Sequence, residues 1–247
     1  MDGLIQIDLN ADLGEGVPTE PQIMPLLSSC NIACGGHFGD RSTVMATLML
    51  AKQHGVKVGA HPGYPDKENF GRVVLDISAA DLKFSIRSQL ELFKNCSEEI
   101  GLEIHHIKPH GALYNEAAAN PEVAKAVYEA IVESGIQVPL YTLPNSALKQ
   151  IASPQYKVIP EAFVDRRYTA QGRLSSRSME GSVIHQPEQA WNQLYELVVN
   201  KRAFTMEGVE VSIKAQTYCV HSDTPNALQI LEYIHRQMEA HKIQLKK

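Results

Sequence analysis

KVGAHPGYPD, residues 57–66, is a short apolar run that stops at a histidine and passes at once into a turn stiffened by two prolines. Either His61 is a satisfied structural histidine beside an ordinary turn, or it stands at the rim of a site. Proline locks φ near −65° and lowers the entropy lost on ordering a turn. Pro62 with Gly63-Tyr64-Pro65 is therefore expected to hold His61 in a rim pocket without help from a partner. The choice depends on whether other strands end in the same way.

Outward from this stretch, strand-like and helix-like patterns alternate. Strands are expected at 4–9, closing at 31–34, and at 56–60, 104–107, 138–142, 158–164, 209–213 and 217–220. Asp40 and Ser42 open a helix carrying Val44, Met45, Leu48 and Met49, with both methionines as core filler, and Gly55 ends it. Ser78 and Asp81 pair as a cap for a helix with Leu82, Ile86, Leu90 and Phe93, stopping at Gly101. Asn120-Pro121 starts a helix that runs to Gly135, 187–199 is helical, and Thr224-Pro225 starts the last helix. The apolar character of the strands is continuous, which argues for a mainly parallel sheet covered on both faces. No linker or repeat is visible, so residues 1–247 read as one catalytic domain. About seven strands in this length suit a closed or distorted barrel better than a short open sheet.

Unusual polar residues recur at the strand ends. Asn10, Asp12 and Glu15 follow the first strand, Asn31 lies at the second, His37 follows Cys34-Gly35-Gly36, and His61 ends the third. Lys108 and His110 end the next, Asp165 and Arg166 a later one, and His221 and Asp223 the last. In a parallel α/β fold these ends share one face, and that face carries the site. Taken singly, Asn10-Ala11-Asp12 could be an Asx turn, Asp223-Thr224-Pro225 a helix cap, and His105-His106 a structural pair. Lys108 is harder to set aside, because a lysine at the end of an apolar strand needs an anion. The Gly-, Ser- and Arg-rich stretch 166–182 is long for a connection inside a compact domain, and such loops are usually functional.

Composition narrows the function classes. The 247 residues carry a net charge of −5, which leaves no basic footprint for nucleic acid or anionic membrane. No apolar run nears the ~20 residues of a membrane span, and there is no secretory pattern, so a cytoplasmic protein with four reduced cysteines is expected. There is no P-loop, no nucleophile elbow and no dinucleotide fingerprint. Carboxylate, imidazole and ammonium remain. That set suits water activation and oxyanion stabilisation, or metal-assisted hydrolysis with Asp12, His61 and His110 as ligands.

The motifs DLNADLGE (8–15), NIACGGHFGD (31–40), GAHPGYPD with FGR (59–72), IKPHGALYN (107–115), EAFVDRRY (161–168) and CVHSDTPNAL (219–228) together resemble the LamB/YcsF family. The resemblance implies a distorted (β/α) barrel similar to the glycoside hydrolase/deacetylase superfamily. It further implies the role of the A subunit in an ATP-dependent 5-oxoprolinase, opening 5-oxo-L-proline to L-glutamate with partner subunits B and C. On this reading ATP is a co-substrate of the complex, and Asp12, His61, Lys108 and His110 are the catalytic candidates. Asn10, Glu15, Asn31, His37, Asp165, Arg166, Arg177 and His221 would bind substrate. Asp12 would activate water, Lys108 with Arg177 would meet phosphate or oxyanion, and His61 or His110 would serve the leaving nitrogen. Two departures stand out. The family pattern CGFHAGD is replaced by Cys34-Gly35-Gly36-His37-Phe38-Gly39-Asp40, and Gln171 stands where an acid usually precedes the loop glycine. The alternatives are a stand-alone metal-dependent amidase or deacetylase, and a carrier that binds oxoproline without chemistry.

Overall fold

The computed structural model describes residues 3–246. Its strands are β1 (Ile5–Leu13), β2 (Ser29–Ala33), β3 (Lys57–His61), β4 (Ile104–Ile107), β5 (Leu140–Thr142), β6 (Val158–Phe163), β7 (Arg202–Phe204), β8 (Glu210–Ser212), β9 (Thr217–Cys219) and β10 (Ile243–Leu245). Its helices are α1 (Glu20–Ile23), α2 (Arg41–His54), α3 (Ala79–Ile100), α4 (Gly111–Ala119), α5 (Pro121–Ser134), α6 (Ala147–Ala152), α7 (Pro187–Tyr195) and α8 (Ala227–Ala240). Among the described residues, β1 to β6 and then β9 pair in parallel, and β9 returns to β1 to close a seven-stranded barrel. β10 adds to the open edge at the start of β1. The barrel expectation is met.

Helix ends follow local chemistry. The Asp40 carboxylate accepts the backbone N–H groups of Ser42 and Thr43, and Gly55 closes α2 at φ 66°. Ser78 and Asn120 cap α3 and α5, and Gly101 and Gly135 end them in left-handed conformations. Leu82, Ile86, Leu90 and Phe93 all face the core, at the spacing of a single helical stripe. Met45 packs partly against that core, whereas Met49 is exposed, so it is not core filler. The buried stripe of α2 is Val44, Leu48 and Ala51, and position 49 points away from it.

Three further expectations change. Asn10 and Asp12 do not follow the first strand and make no Asx turn, because β1 continues to Leu13 and both lie within it. The strand expected at 209–213 is β8, which pairs antiparallel with β7 in a hairpin outside the barrel. The Asp223 region does not cap α8, whose N-cap position is Asn226 at φ 65°.

β1 shows why the run of burial was misleading about polarity. Ile7, Leu9, Ala11 and Leu13 belong to the core beneath the helices, while Asp8, Asn10 and Asp12 alternate with them and point into the barrel. The lumen is therefore polar. At its lower end Asp8 accepts hydrogen bonds from Ser29 Oγ (2.9 Å), Thr217 Oγ1 (2.6 Å) and Tyr141 (3.4 Å). One layer higher, Asn31 Nδ2 donates to Asn10 Oδ1 at 2.8 Å, and Asn10 Nδ2 donates to Glu161 Oε1 at 3.0 Å. His106 donates from Nε2 to Asn31 Oδ1 at 2.6 Å and stacks on Tyr141. Directly across from it is Gly59, where a Cβ would lie 2.3 Å from the His106 ring. Glycine at that position makes room for the imidazole.

Candidate active site

Above these layers the lumen becomes charged. Lys108 reaches inward just beyond β4 and is fully buried. Its Nζ lies 2.9 Å from Asp12 Oδ1, 3.0 Å from Glu161 Oε1 and 3.2 Å from Cys219 Sγ. Burial pulls the ammonium down, but Asp12, Cys219 and Glu161 outweigh it and hold Lys108 well above its usual range. Burial pushes Asp12 up, yet His61 and Lys108 hold it well below the usual carboxylate range. The expected anion for Lys108 is thus two carboxylates of the protein. Glu161 was missed in the sequence, because a single acid in the apolar run VIPEAF carries no local signal.

His61 ends β3 and is buried. The rim position is as expected, but it is not held by its turn alone. Nδ1 donates to the Lys108 carbonyl at 2.7 Å, and Nε2 lies 3.0 Å from His110 Nδ1 and 3.4 Å from Asp12 Oδ2. Glu15 Oε1 is 2.9 Å from His37 Nε2 and 3.3 Å from His110 Nδ1, and the His37 and His110 rings stack at 3.5 Å. Burial, reinforced by the charges of Asp12 and Asp223, holds Glu15 well above the carboxylate range. Burial and neighbouring imidazoles hold His37 and His110 well below theirs. Among the described residues two sets of groups could hold a metal ion: the buried Glu15, His37, His61 and His110, and separately the buried Asp12 and Cys219 with the half-buried His221. Asp12, His61 and His110, expected to share one ion, are thus divided between the two.

The Gly36/Phe38 departure has a structural reason. Gly36 leaves room for the Gln89 side chain, which a Cβ would meet at 2.3 Å. Gln89 clamps the turn after His61, accepting from Gly63 N at 2.9 Å and donating to Gly63 O at 2.8 Å. Phe38 packs its ring over Gly16 and against Phe70.

Beyond the charged layer a cavity of about 490 Å³ opens at the strand C-termini. Asp12, His61, Lys108, His110 and His221 form its floor, and Arg72, Arg166 and Arg177 stand around it. Asp165 accepts from His221 Nδ1 at 3.0 Å and from Thr224 Oγ1 at 2.5 Å. Burial raises Asp165, but His221 and Thr224 bring it down to about 2. His221 Nε2 therefore faces the cavity, 3.9 Å from Asp12 Oδ2. Arg166 is buried, its pKa lowered to about 10 by burial and Arg177, and its Nε has no partner among the described residues. Asp223 is not a cap: it pairs with both Arg72 and Arg177 and so holds two of the cavity's arginines without lining the cavity itself. Arg72 was likewise missed, because only the fold brings its loop to the mouth. Asn10 and Asn31 lie below, and Glu15, His37 and Asp165 behind the cavity wall; none of the five lines it. Carboxylate–imidazole pairs facing a cation-lined cavity can move a proton to or from a small anionic ligand.

All four cysteines are buried and unpaired. Among the described residues no helix is long and apolar enough to cross a membrane. The solved lactam utilization protein from Thermus thermophilus superposes with a TM-score of 0.89 at 35% identity, covering 98% of this chain and 99% of that one. A family 4 carbohydrate esterase from Streptomyces lividans has a TM-score of 0.52 at 8% identity, covering 98% and 92%, which is a likeness of fold alone. Among curated relatives, the A subunit of a 5-oxoprolinase from Bacillus cereus is 39% identical, covering 97% of each chain. Its counterpart from Symbiobacterium thermophilum is 40% identical, covering 95% of this chain and 92% of its own. The LamB/YcsF family model matches residues 7–247, and the chain belongs to that family.

Proposed function

We propose that the chain opens the lactam of 5-oxo-L-proline to L-glutamate as the A subunit of an ATP-dependent complex with subunits B and C. The observation that carries this reading is the pairing of His221–Asp165 with three arginines around one small cavity, in a relative of proteins named as the A subunit of 5-oxoprolinase. A lactam carbonyl is a poor electrophile. Transfer of the ATP γ-phosphoryl to the lactam oxygen makes it a good one, and this chain has no phosphate loop, so the nucleotide step falls to the partners.

His221 takes the proton of the attacking water and then gives it to the leaving ring nitrogen, while Asp165 holds its tautomer; the C–N bond breaks to leave γ-glutamyl phosphate, and a second water cleaves this acyl phosphate to glutamate and inorganic phosphate. Asp12, fixed by Lys108, stabilises the imidazolium formed in between. Arg72 and Arg177 take the substrate carboxylate, and Arg166 faces the phosphorylated oxygen. His61 and His110 complete the cavity floor beside Asp12. A stand-alone metal amidase is supported less well, because Asp12 groups with Cys219 and His221 and not with His61 and His110.

The test is reconstitution with both partner subunits, following glutamate release from 5-oxoproline. The complex is expected to turn over only with ATP, and the lone chain not at all. Glutamate release by the lone chain without ATP would favour the amidase, and binding of oxoproline by a complex that never releases glutamate would favour the carrier.

A further inference from the structure

The three arginines of the cavity are not equally partnered. Arg72 and Arg177 share the Asp223 carboxylate at the mouth, where all three are partly solvated. Arg166 is buried, and among the described residues no carboxylate pairs with it. The adjacent Asp165 is already committed to His221 and Thr224. One arm of the Arg166 guanidinium, Nη2, donates to the Ser175 carbonyl at 2.5 Å, and Nε has no described partner. A buried guanidinium without a counter-charge is costly, and it persists where an anion meets it.

The contact with Ser175 also decides what stands beside that guanidinium. Ser176 and Ser178 line the same cavity with their hydroxyls 2.8 Å apart, and among the described residues neither hydroxyl bonds outside its own turn. One hydroxyl hydrogen is used in that contact, and the other is left for a ligand. A carboxylate has two oxygens, and on the lactam reading Arg72 and Arg177 serve it. A phosphoryl group has three oxygens and more charge, which suits a planar fork with a hydroxyl donor beside it. On the floor, His221 Nε2 faces the cavity next to Asp12.

We infer that Arg166, Ser176 and Ser178 form a phosphoryl subsite, and that this chain by itself hydrolyses small acyl phosphates in the cavity without ATP. Water adds to the acyl carbon and gives a proton to His221. The acyl C–O bond then breaks, and phosphate leaves with the proton that His221 had taken up. Each water consumed yields one carboxylic acid, which ionises, and one hydrogen phosphate. That the natural acyl group is γ-glutamyl rests on the lactam reading, whereas the subsite rests on the unpaired arginine and the serine pair.

The test gives the full chain acetyl phosphate in heavy-oxygen water, with neither ATP nor partner subunits. At saturation, phosphate release should exceed the spontaneous rate by about 100-fold, the range for a positioned acid–base group, with the label in acetate and none in phosphate. Arg166→Gln should lower kcat/KM by about 100-fold, as loss of one donor to a developing anion does. Replacing a buried arginine also burdens the fold, so Ser176→Ala combined with Ser178→Ala, both exposed, gives a second readout. It should raise KM by about 10-fold and leave the melting temperature unchanged. Arg167→Gln is the control, since that side chain lines a separate cavity with Gln189 and Phe204, and its activity should match the parent. Label in phosphate would mean attack at phosphorus and would overturn the inference, as would a parental KM in the serine variant. No release above the spontaneous rate, from a chain whose reconstituted complex opens 5-oxoproline, would refute the subsite and leave the lactam reading standing. Acetyl phosphate cleaved by a chain whose complex never yields glutamate would uphold the subsite and overturn the lactam reading.

Discussion

The two halves of the barrel lumen are built on opposite terms. In the lower half, Asp8, Ser29, Thr217, Tyr141, Asn10, Asn31 and His106 share hydrogen bonds with mostly neutral partners. In the upper half, Lys108 sits between two carboxylates, imidazoles face one another, and Glu161 Oε2, His37 Nδ1 and Arg166 Nε have no partner among the described residues. A satisfied buried network rigidifies and specifies a fold, whereas unpaired buried groups are costly and persist where something else engages them. Polarity inside the barrel does not mark the site; incomplete polarity does.

The strongest way to break this contrast is Lys108→Met. It leaves Asp12 and Glu161 as uncompensated buried charges, and removing one partner of a buried pair costs about 3–5 kcal/mol. Chemical denaturation should show that loss, and a variant as stable as the parent would mean that the upper layer is not charged as described.

Next in size, His221→Ala should lower turnover of the reconstituted complex by about 10²- to 10³-fold with little change in melting temperature. His106→Ala, which empties the lower layer, should do the reverse: a clear drop in melting temperature, with turnover of the folded fraction within a few-fold. Exchange of the two patterns would overturn the division of the lumen.

Asp165 sharpens the comparison through pH. Its folded pKa is depressed from 3.8 to about 2, so its contribution is fully present above pH 4 and is lost as pH falls through about 2. The shift corresponds to about 2 kcal/mol. Stability measured between pH 4 and 2 should fall less steeply in Asp165→Asn than in the parent, and equal slopes would show that Asp165 is not held by His221 and Thr224.

The smallest effect belongs to the mouth. Arg72 and Asp223 are partly solvated, so Arg72→Gln should cost less than about 1 kcal/mol of stability, in keeping with exposed pairs. Its effect should be on KM for 5-oxoproline, with kcat nearly preserved. An unchanged KM would remove Arg72 from substrate binding.

Much of the fold was legible residue by residue. Asp40, Ser78 and Asn120 with Gly55, Gly101 and Gly135 mark three helices, because capping depends on groups within one turn of each other. β10, α4 and β7 were not read, and β8 was read as a strand but not as half of a hairpin: β10 and the hairpin strands are only three residues each, and α4 is held between His110 and the cap of the next helix. In the candidate site, the histidines, Asp12 and Lys108 stood out as polar residues at apolar strand ends. Glu161 and Arg72 did not, since each resembles an ordinary residue of its own segment, and Asp223, which did stand out at a strand end, read as a helix cap.

By itself the sequence determined the alternation of strands and helices, their caps and the polar strand ends, all of which rest on interactions between near neighbours in the chain. Only the tertiary structure decided that β9 closes on β1, that Asp8, Asn10 and Asp12 point inward, and that Lys108 meets both Asp12 and Glu161. The physical reason is separation. Asp12 and Lys108 are 96 residues apart, and a charge buried at that distance has no cost or partner that can be assigned until the barrel has removed both from water.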